Sequence, residues 1–176
     1  MNKPNTNRPL ASKPAISQRT ACLSAAAADA IRDIYQRLDA VIAGHQPRCD
    51  ASGRCCHFDA YGHRLYVTTL EMMYFADAMG LAPLPPTPRS EGNFSLPQLP
   101  HQPGCPWQMD GLCTARDARP LGCRIYFCDP ANQHWQPETY EAFHREITGL
   151  HDRFDTPYQY TEWRAALAGY VKMETT

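Results

Sequence analysis

Residues 104–128, GCPWQMDGLCTARDARPLGCRIYFC, place four cysteines in a segment that also contains three glycines and two prolines. A shorter segment, residues 49–56, CDASGRCC, contains three more, two of which are adjacent. The eighth cysteine, Cys22, stands apart near the N-terminus. The candidate functional residues are therefore Cys49, Cys55, Cys56, Cys105, Cys113, Cys123 and Cys128. Seven sulfurs in two groups can hold a metal, pair as disulfides, or react themselves.

Length and composition exclude several classes of protein. The 176 residues suffice for one domain with its own core. With 43% hydrophobic residues, such a domain does not need disulfides to be stable. The formal net charge of -1 argues against a nucleic-acid surface, and no apolar run approaches the ~18 residues of a membrane helix. We therefore expect neither nucleic acid nor membrane as a partner.

The N-terminal segment predicts the compartment. Residues 1–22 are basic but lack the continuous apolar stretch of a secretory signal, and their prolines would break an amphipathic transit helix. We expect a disordered tail here, followed by a single cysteine-cluster domain over residues 23–176. The expected location is the reducing cytoplasm, where clustered cysteines more often bind metal or do redox work than form structural disulfides.

The hydrophobic pattern favours a mostly helical chain with short β pieces. Ser24 is a candidate N-cap for the first helix, and Thr68 with Glu71 matches a capping box for the second. A short strand is expected at 64–69, and the proline density of residues 82–106 predicts a long crossing between the cysteine groups. The predicted helices cover residues 25–44, 68–81, 137–154 and 161–173. The expected fold is a single small domain with a large irregular cysteine-rich metal-binding portion, its motif region at 49–128.

The surroundings of the cysteines suit a metal. Four thiolates around Zn²⁺ or around a 4Fe–4S cluster leave about two negative charges, which nearby guanidiniums would balance. The alternative is that these arginines are solvated surface groups. The candidates are Arg54, Arg116, Arg119 and Arg124. In extended backbone the adjacent Cys55 and Cys56 would point to opposite faces, so that one binds metal while the other is buried or serves a second centre.

Spacing predicts a metal without identifying it. Zinc sites favour C-x₂₋₄-C pairs, which only Cys123 and Cys128 match, and the ferredoxin spacings are absent. His57, directly after Cys56, is the one histidine considered as a ligand, while His144 and His151 are expected on the surface. Catalysis by a cysteine–histidine pair is disfavoured, because it needs one activated thiol rather than two groups of sulfurs.

The two cysteine segments together resemble the YkgJ-like cysteine-cluster family, whose members are described as zinc- or iron-chelating domains. That family has a C-x-x-C-x-x-C-C run, a C-P segment, an internal cysteine and an R-P-x-x-C-R-x-[FY]-x-C ending. The second half of this pattern is present from Cys105-Pro106 through Arg119-Pro120 to Cys128. The first half departs from it, since Ser52 stands where the family has its second cysteine.

The resemblance and the residues together lead to two expectations of function. The first is a 4Fe–4S protein with an electron-transfer or accessory redox role beside a redox partner protein. The second is a structural zinc module that binds a partner without catalysis. Some relatives in the family are labelled iron–sulfur oxidoreductases, and a related cysteine cluster occurs in flagellin lysine N-methylases. A third hypothesis, a metal-dependent transferase, needs a small-molecule site that the sequence does not reveal.

Overall fold

The computed structural model describes residues 23–49, 51–84 and 104–172, and of these it describes Val171 and Lys172 by their backbone only. The helices are α1 (Ala25–His45), α2 (Phe58–Tyr61), α3 (Thr69–Ala78), α4 (Leu121–Ile125), α5 (Gln136–Arg153) and α6 (Trp163–Leu167). The strands are β1 (Tyr66–Thr68), β2 (Leu81–Pro83), β3 (Gln108–Met109), β4 (Leu112–Cys113), β5 (Tyr160–Glu162) and β6 (Tyr170–Lys172). The prediction of a mostly helical, single small domain with short strands is confirmed. The expected tail at 1–22 lies outside the described residues.

Helix α1 forms as its sequence predicts. The Ser24 hydroxyl accepts a hydrogen bond from the Ala27 backbone N–H at 3.2 Å, which caps the helix start. The apolar residues Ile31 and Leu38 are fully buried, whereas Val41 near the end of the helix is 38% exposed. The buried positions therefore end about two turns before the helix does.

A buried carboxylate joins three helices. Glu71 completes the capping box of α3 by accepting from the Thr68 N–H at 2.9 Å. The same carboxylate accepts from the Leu121 N–H at 2.8 Å, where α4 begins, and from the Tyr35 hydroxyl of α1 at 3.3 Å. Burial raises the pKa of Glu71 above its ordinary value, although the hydrogen bonds from Thr68 and Leu121 oppose the shift. Its position therefore specifies how α1, α3 and α4 dock.

The six strands form three separate antiparallel pairs, β1 with β5, β2 with β6, and β3 with β4. The strand expected at 64–69 is confirmed for its central residues. The helix expected over 161–173 is wrong except for Trp163–Leu167, because the residues before it pair with β1 and those after it with β2. Most of the crossing expected at 82–106 lies outside the described residues, and its start, Leu81–Pro83, is a strand.

Two hydrophobic clusters divide the core. The first packs α1 against α4 and α5 through residues such as Ile31, Leu121 and Ile147. The second surrounds Phe75 and Trp163 and has Cys105, Cys113 and Cys123 packed against its edge. This second cluster therefore supplies an apolar wall on one side of the sulfurs. No helix in the described ranges is long and apolar enough to cross a membrane.

Helix α5 starts with Pro137 in its first turn, as predicted, and continues unbroken through Gly149. His144 and His151, seven residues apart, therefore lie on the same face of α5. His151, however, is only 3% exposed, so the expectation of two surface imidazoles is wrong for this residue. Its ring packs edge-on against Tyr158, with 5.1 Å between ring centroids, because the chain turns back over the end of α5.

We predict that Glu71→Ala lowers the free energy of unfolding by about 2–4 kcal/mol, because it leaves two buried N–H groups and a buried hydroxyl without their acceptor. Urea denaturation followed by circular dichroism measures this change. Asp77→Ala on the exposed side of the same helix is the matched control and should stay within about 0.5 kcal/mol of wild type. Equal losses for both variants would contradict the role of Glu71.

Candidate metal centre

A single 3₁₀ turn, Arg54–Cys56, presents the two adjacent cysteines. Gly53 starts the turn with φ of 69°, a left-handed conformation that favours glycine, and its carbonyl accepts from the Cys56 N–H at 2.9 Å. In this turn the sulfurs of Cys55 and Cys56 lie 3.8 Å apart. The two side chains thus share one side, unlike the opposite faces expected from extended backbone.

Residues Gly104 and Cys105 lie directly against this turn. The Cys105 N–H donates to the Cys56 carbonyl at 2.8 Å. A Cβ atom on Gly104 would lie 2.8 Å from the same carbonyl oxygen, closer than real contacts allow. The glycine before Cys105 is therefore needed for the backbone to approach, and this approach brings the Cys105 side chain to Cys56.

Cys113 lies on the β3–β4 hairpin, which packs against the first cysteine segment. Asp110 and Gly111 form its turn, with φ of 51° and 81°, the positive values that a two-residue hairpin turn requires. A Cβ on Gly111 would lie 2.7 Å from the Ala51 carbonyl oxygen, so the hairpin tip packs tightly against the first cysteine segment. The two cysteine segments are thus in direct contact.

Cys123 lies in α4, whose position depends on the contacts of its neighbour Arg124. The buried Arg124 donates to the Arg119 carbonyl at 2.7 Å and to Asp39 of α1 at 2.8 Å, and its guanidinium lies 4.2 Å from the centre of the Tyr35 ring. Arg124 therefore anchors α4 to α1 and does not face the sulfurs. Of the four arginines considered from the sequence, Arg54 and Arg116 are exposed.

Arg119 is the guanidinium beside the thiols. It is partly buried, donates to the Cys123 carbonyl at 3.4 Å, and its positive charge lowers the pKa of Cys55 and opposes the upward shifts at Cys113 and Cys123. Burial lowers the pKa of Arg119, yet a guanidinium stays protonated at neutral pH. One arginine therefore supplies positive charge where several sulfurs meet.

Three thiols share protons unequally. Hydrogen bonds from Cys56 lower the pKa of Cys55 to about 6 and that of Cys105 to about 7. The same two hydrogen bonds, together with burial, raise the pKa of Cys56. At neutral pH this arrangement favours thiolates at Cys55 and Cys105 with a protonated Cys56 between them.

Cys113 and Cys123 complete a group of five. Burial raises the pKa of both, and negative charge at Cys105 and Cys55 raises them further. We call Cys55, Cys56, Cys105, Cys113 and Cys123 the thiol group. All described cysteines are free thiols. Within residues 23–49, 51–84 and 104–172, however, no three His, Cys, Asp or Glu side chains are arranged so that they could hold a metal ion.

The other two candidate cysteines have different surroundings. Cys49 is exposed, and Cys128 is half-buried beside Tyr126. Burial raises the pKa of Tyr126, and the neighbouring Cys128 raises it further.

The sequence favoured His57 as a ligand, and its Nδ1 atom would lie 3.8 Å from a Cβ on Gly104. His63, which the sequence did not single out, contacts the backbone of Cys55. The His63 Nε2 atom lies 3.1 Å from the Cys55 carbonyl oxygen, while its Nδ1 atom is buried without a hydrogen-bond partner among the described residues.

Aromatic rings enclose one side of the thiol group. Trp107 packs edge-on against Phe75, with 4.7 Å between centroids. Trp163 lies on the same side; its indole Nε1 is buried without a hydrogen-bond partner in the described part of the chain, and it helps to lower the pKa of Cys105. No local pattern could have revealed this contact, because Trp163 arrives through the β1–β5 pairing.

A cavity of about 280 Å³ opens beside the thiol group. Cys55 and Cys123 contribute to its lining, and most of the remaining lining is aromatic or aliphatic. The sequence did not reveal it because its walls come from β1, α4, α5 and β5. The thiol group thus borders an apolar wall on one side and a cavity on another.

Comparisons with protein-family models, with curated proteins and with solved structures find no match to this chain.

We predict that Gly104→Ala lowers the free energy of unfolding by about 1–3 kcal/mol, because the added methyl group must push the backbone away from Cys56. Thermal and urea unfolding measure the change. Gly149→Ala is the control, since a Cβ there meets nothing within 4 Å, and in a helix it should stabilise by about 0.5–1 kcal/mol. A neutral Gly104→Ala would mean that the two cysteine segments do not need this close approach.

Proposed function

We propose that this chain is a metal-binding protein whose centre is built from the thiol group, with Arg119 compensating its negative charge. The observation that supports the proposal most directly is the pair Cys55 and Cys56, whose sulfurs are 3.8 Å apart in a turn that also contacts Cys105. Five free thiols with little other polar chemistry around them form a donor set for a soft or borderline metal.

The residues around the thiol group fit a bound metal. Among the described residues the buried Trp163 indole N–H has no acceptor, and a charged thiolate at Cys105 would be a suitable one. Low pKa values of about 6 at Cys55 and about 7 at Cys105 favour the ionised form that a metal needs. Binding would require rotation of the cysteine side chains toward a common point.

The spacing of Cys55 and Cys56 favours one tetrahedral ion such as Zn²⁺. With metal–sulfur bonds of about 2.3 Å, the edge of a tetrahedron is about 3.8 Å long, which equals the distance between these two sulfurs. In this form the metal would join the turn at Arg54–Cys56, the β3–β4 hairpin and α4, and the protein would act as a structural binding module.

A 4Fe–4S cluster is the second candidate. Each cysteine of such a cluster binds a different iron, so its ligands lie farther apart than two ligands of one ion. Cys55, Cys105, Cys113 and Cys123 influence one another through charge and come from separate turns, which suits that wider spacing. The protein would then transfer electrons or assist a redox partner protein. Both candidates require a reducing compartment, for which we propose the cytoplasm.

Elemental analysis of protein purified without oxygen, together with its absorption spectrum, tests the proposal. About one zinc per chain without a visible band would support the structural module, and a chelator should then unfold the protein. Iron with matching acid-labile sulfide and a brown colour would support the cluster. Protein that folds with free thiols and takes up neither metal would refute the metal centre.

Two serine variants test which cysteines hold the metal. Loss of a hydrogen-bond partner of a metal ligand lowers metal affinity by about 10–100-fold. Cys123→Ser removes a ligand itself and should lower the affinity at least as much. Cys49→Ser is the matched control, because this exposed thiol stands outside the thiol group, and it should retain full metal content. Equal loss in both variants, measured by metal content per folded chain, would show that the ligand set is wrong.

A further inference from the structure

The cavity beside the thiol group has the features of a ligand site, and we propose that it binds a small aromatic carboxylate. Its volume of about 280 Å³ lies just below the usual range of ligand cavities, which is about 300–1,000 Å³. A site of this size accommodates one or two fused rings rather than a nucleotide. The proposal goes beyond the metal centre and does not depend on which metal is bound.

Flat rings form much of the cavity wall. His63 and Tyr126 are stacked, with centroids 5.4 Å apart and planes inclined by 21°. Tyr66 and Tyr160 form a second stack, with centroids 5.3 Å apart and an inclination of 24°. Phe58 adds an apolar side chain that is 2% exposed. Such walls favour a planar apolar body, because aromatic rings pack well in offset or edge-on contact.

Several polar groups of the wall already have hydrogen-bond partners. The hydroxyls of Tyr140 and Tyr160 share a hydrogen bond at 2.6 Å. The Gln136 amide donates to the carbonyls of Phe127 and Asn132 at 3.2 and 3.1 Å. The His63 Nδ1 atom is without a partner among the described residues, but most of the lining is apolar, so a polyhydroxylated ligand such as a sugar would fit poorly.

Among the described lining residues, Arg64 is the one with a permanent charge. Its guanidinium is exposed and has no ion-pair or hydrogen-bond partner within residues 23–49, 51–84 and 104–172. A guanidinium binds a carboxylate through two parallel hydrogen bonds. The ligand would therefore direct its carboxylate toward Arg64 at the solvent side.

The sulfurs determine which part of the ligand lies at the inner end of the cavity. Cys55 and Cys123 line the cavity on the side of the thiol group. The edge of an aromatic ring carries partial positive charge and packs favourably against sulfur, whereas the guanidinium that attracts a carboxylate is that of Arg64. These contacts orient the ring toward the thiol group and the carboxylate toward Arg64.

Calorimetric titration of the full chain with 2-naphthoate, and with uncharged 2-naphthamide, tests the proposal. The acid should bind about tenfold or more tightly than the amide, as a charged hydrogen-bonded pair predicts. Arg64→Gln should remove that preference, while Arg145→Gln, an exposed residue of α5 outside the cavity, should keep it. Added salt should weaken binding of the acid but not of the amide.

A second variant tests the wall independently of the charge. Tyr126→Ala removes one ring of a stack and should weaken the acid and the amide alike, whereas Tyr126→Phe should preserve both. No binding of the acid to folded wild-type protein would overturn the proposal. Equal affinity for acid and amide, or no effect of Arg64→Gln, would overturn the role of Arg64. Metal content measured on the same samples separates these results from failure of the metal centre.

Discussion

A buried carboxylate with three partners is the constraint on which the remaining structure depends. Glu71 is 2% exposed and accepts hydrogen bonds from Thr68, Leu121 and Tyr35. A buried polar group is costly unless it is paired, so Glu71 is stable only when α1, α3 and α4 dock together. Arg124 lies over the ring of Tyr35 and holds α4 to α1. A helix of five residues is too short to persist alone, which is why α4, and with it Cys123, needs these two side chains.

The thiol group is assembled from turns rather than from one regular element. The 3₁₀ turn, the loop at Cys105, the β3–β4 hairpin and α4 each supply one or two sulfurs. Close backbone approach brings these turns together, and it is possible because Gly104 and Gly111 lack side chains. The glycines beside the cysteines thus act through packing, while the nearby charge comes chiefly from Arg119.

The thiol group and the aromatic cavity share two residues, Cys55 and Cys123. A ligand in the cavity would lie against the thiols without needing to enter the apolar wall around Trp163. The two proposals therefore describe neighbouring sites with separate chemistry: thiolates that favour a metal, and an exposed guanidinium that favours an anion. The two arginines differ accordingly: Arg64 beside the cavity is open to solvent, and Arg119 beside the thiols is partly buried.

Local pattern was sufficient for the parts of the chain whose structure depends on near neighbours. The Ser24 cap, the Thr68–Glu71 capping box and the Pro137 helix start all involve residues within one turn, and all three were predicted. The C-terminal segment was mispredicted because β5 and β6 exist only through pairing with strands far away in the sequence. Local pattern also could not predict the cavity, the roles of His63 and Trp163, or the contacts of Glu71 outside its capping box. Each of them depends on contacts between segments many residues apart, which only the packed chain brings together.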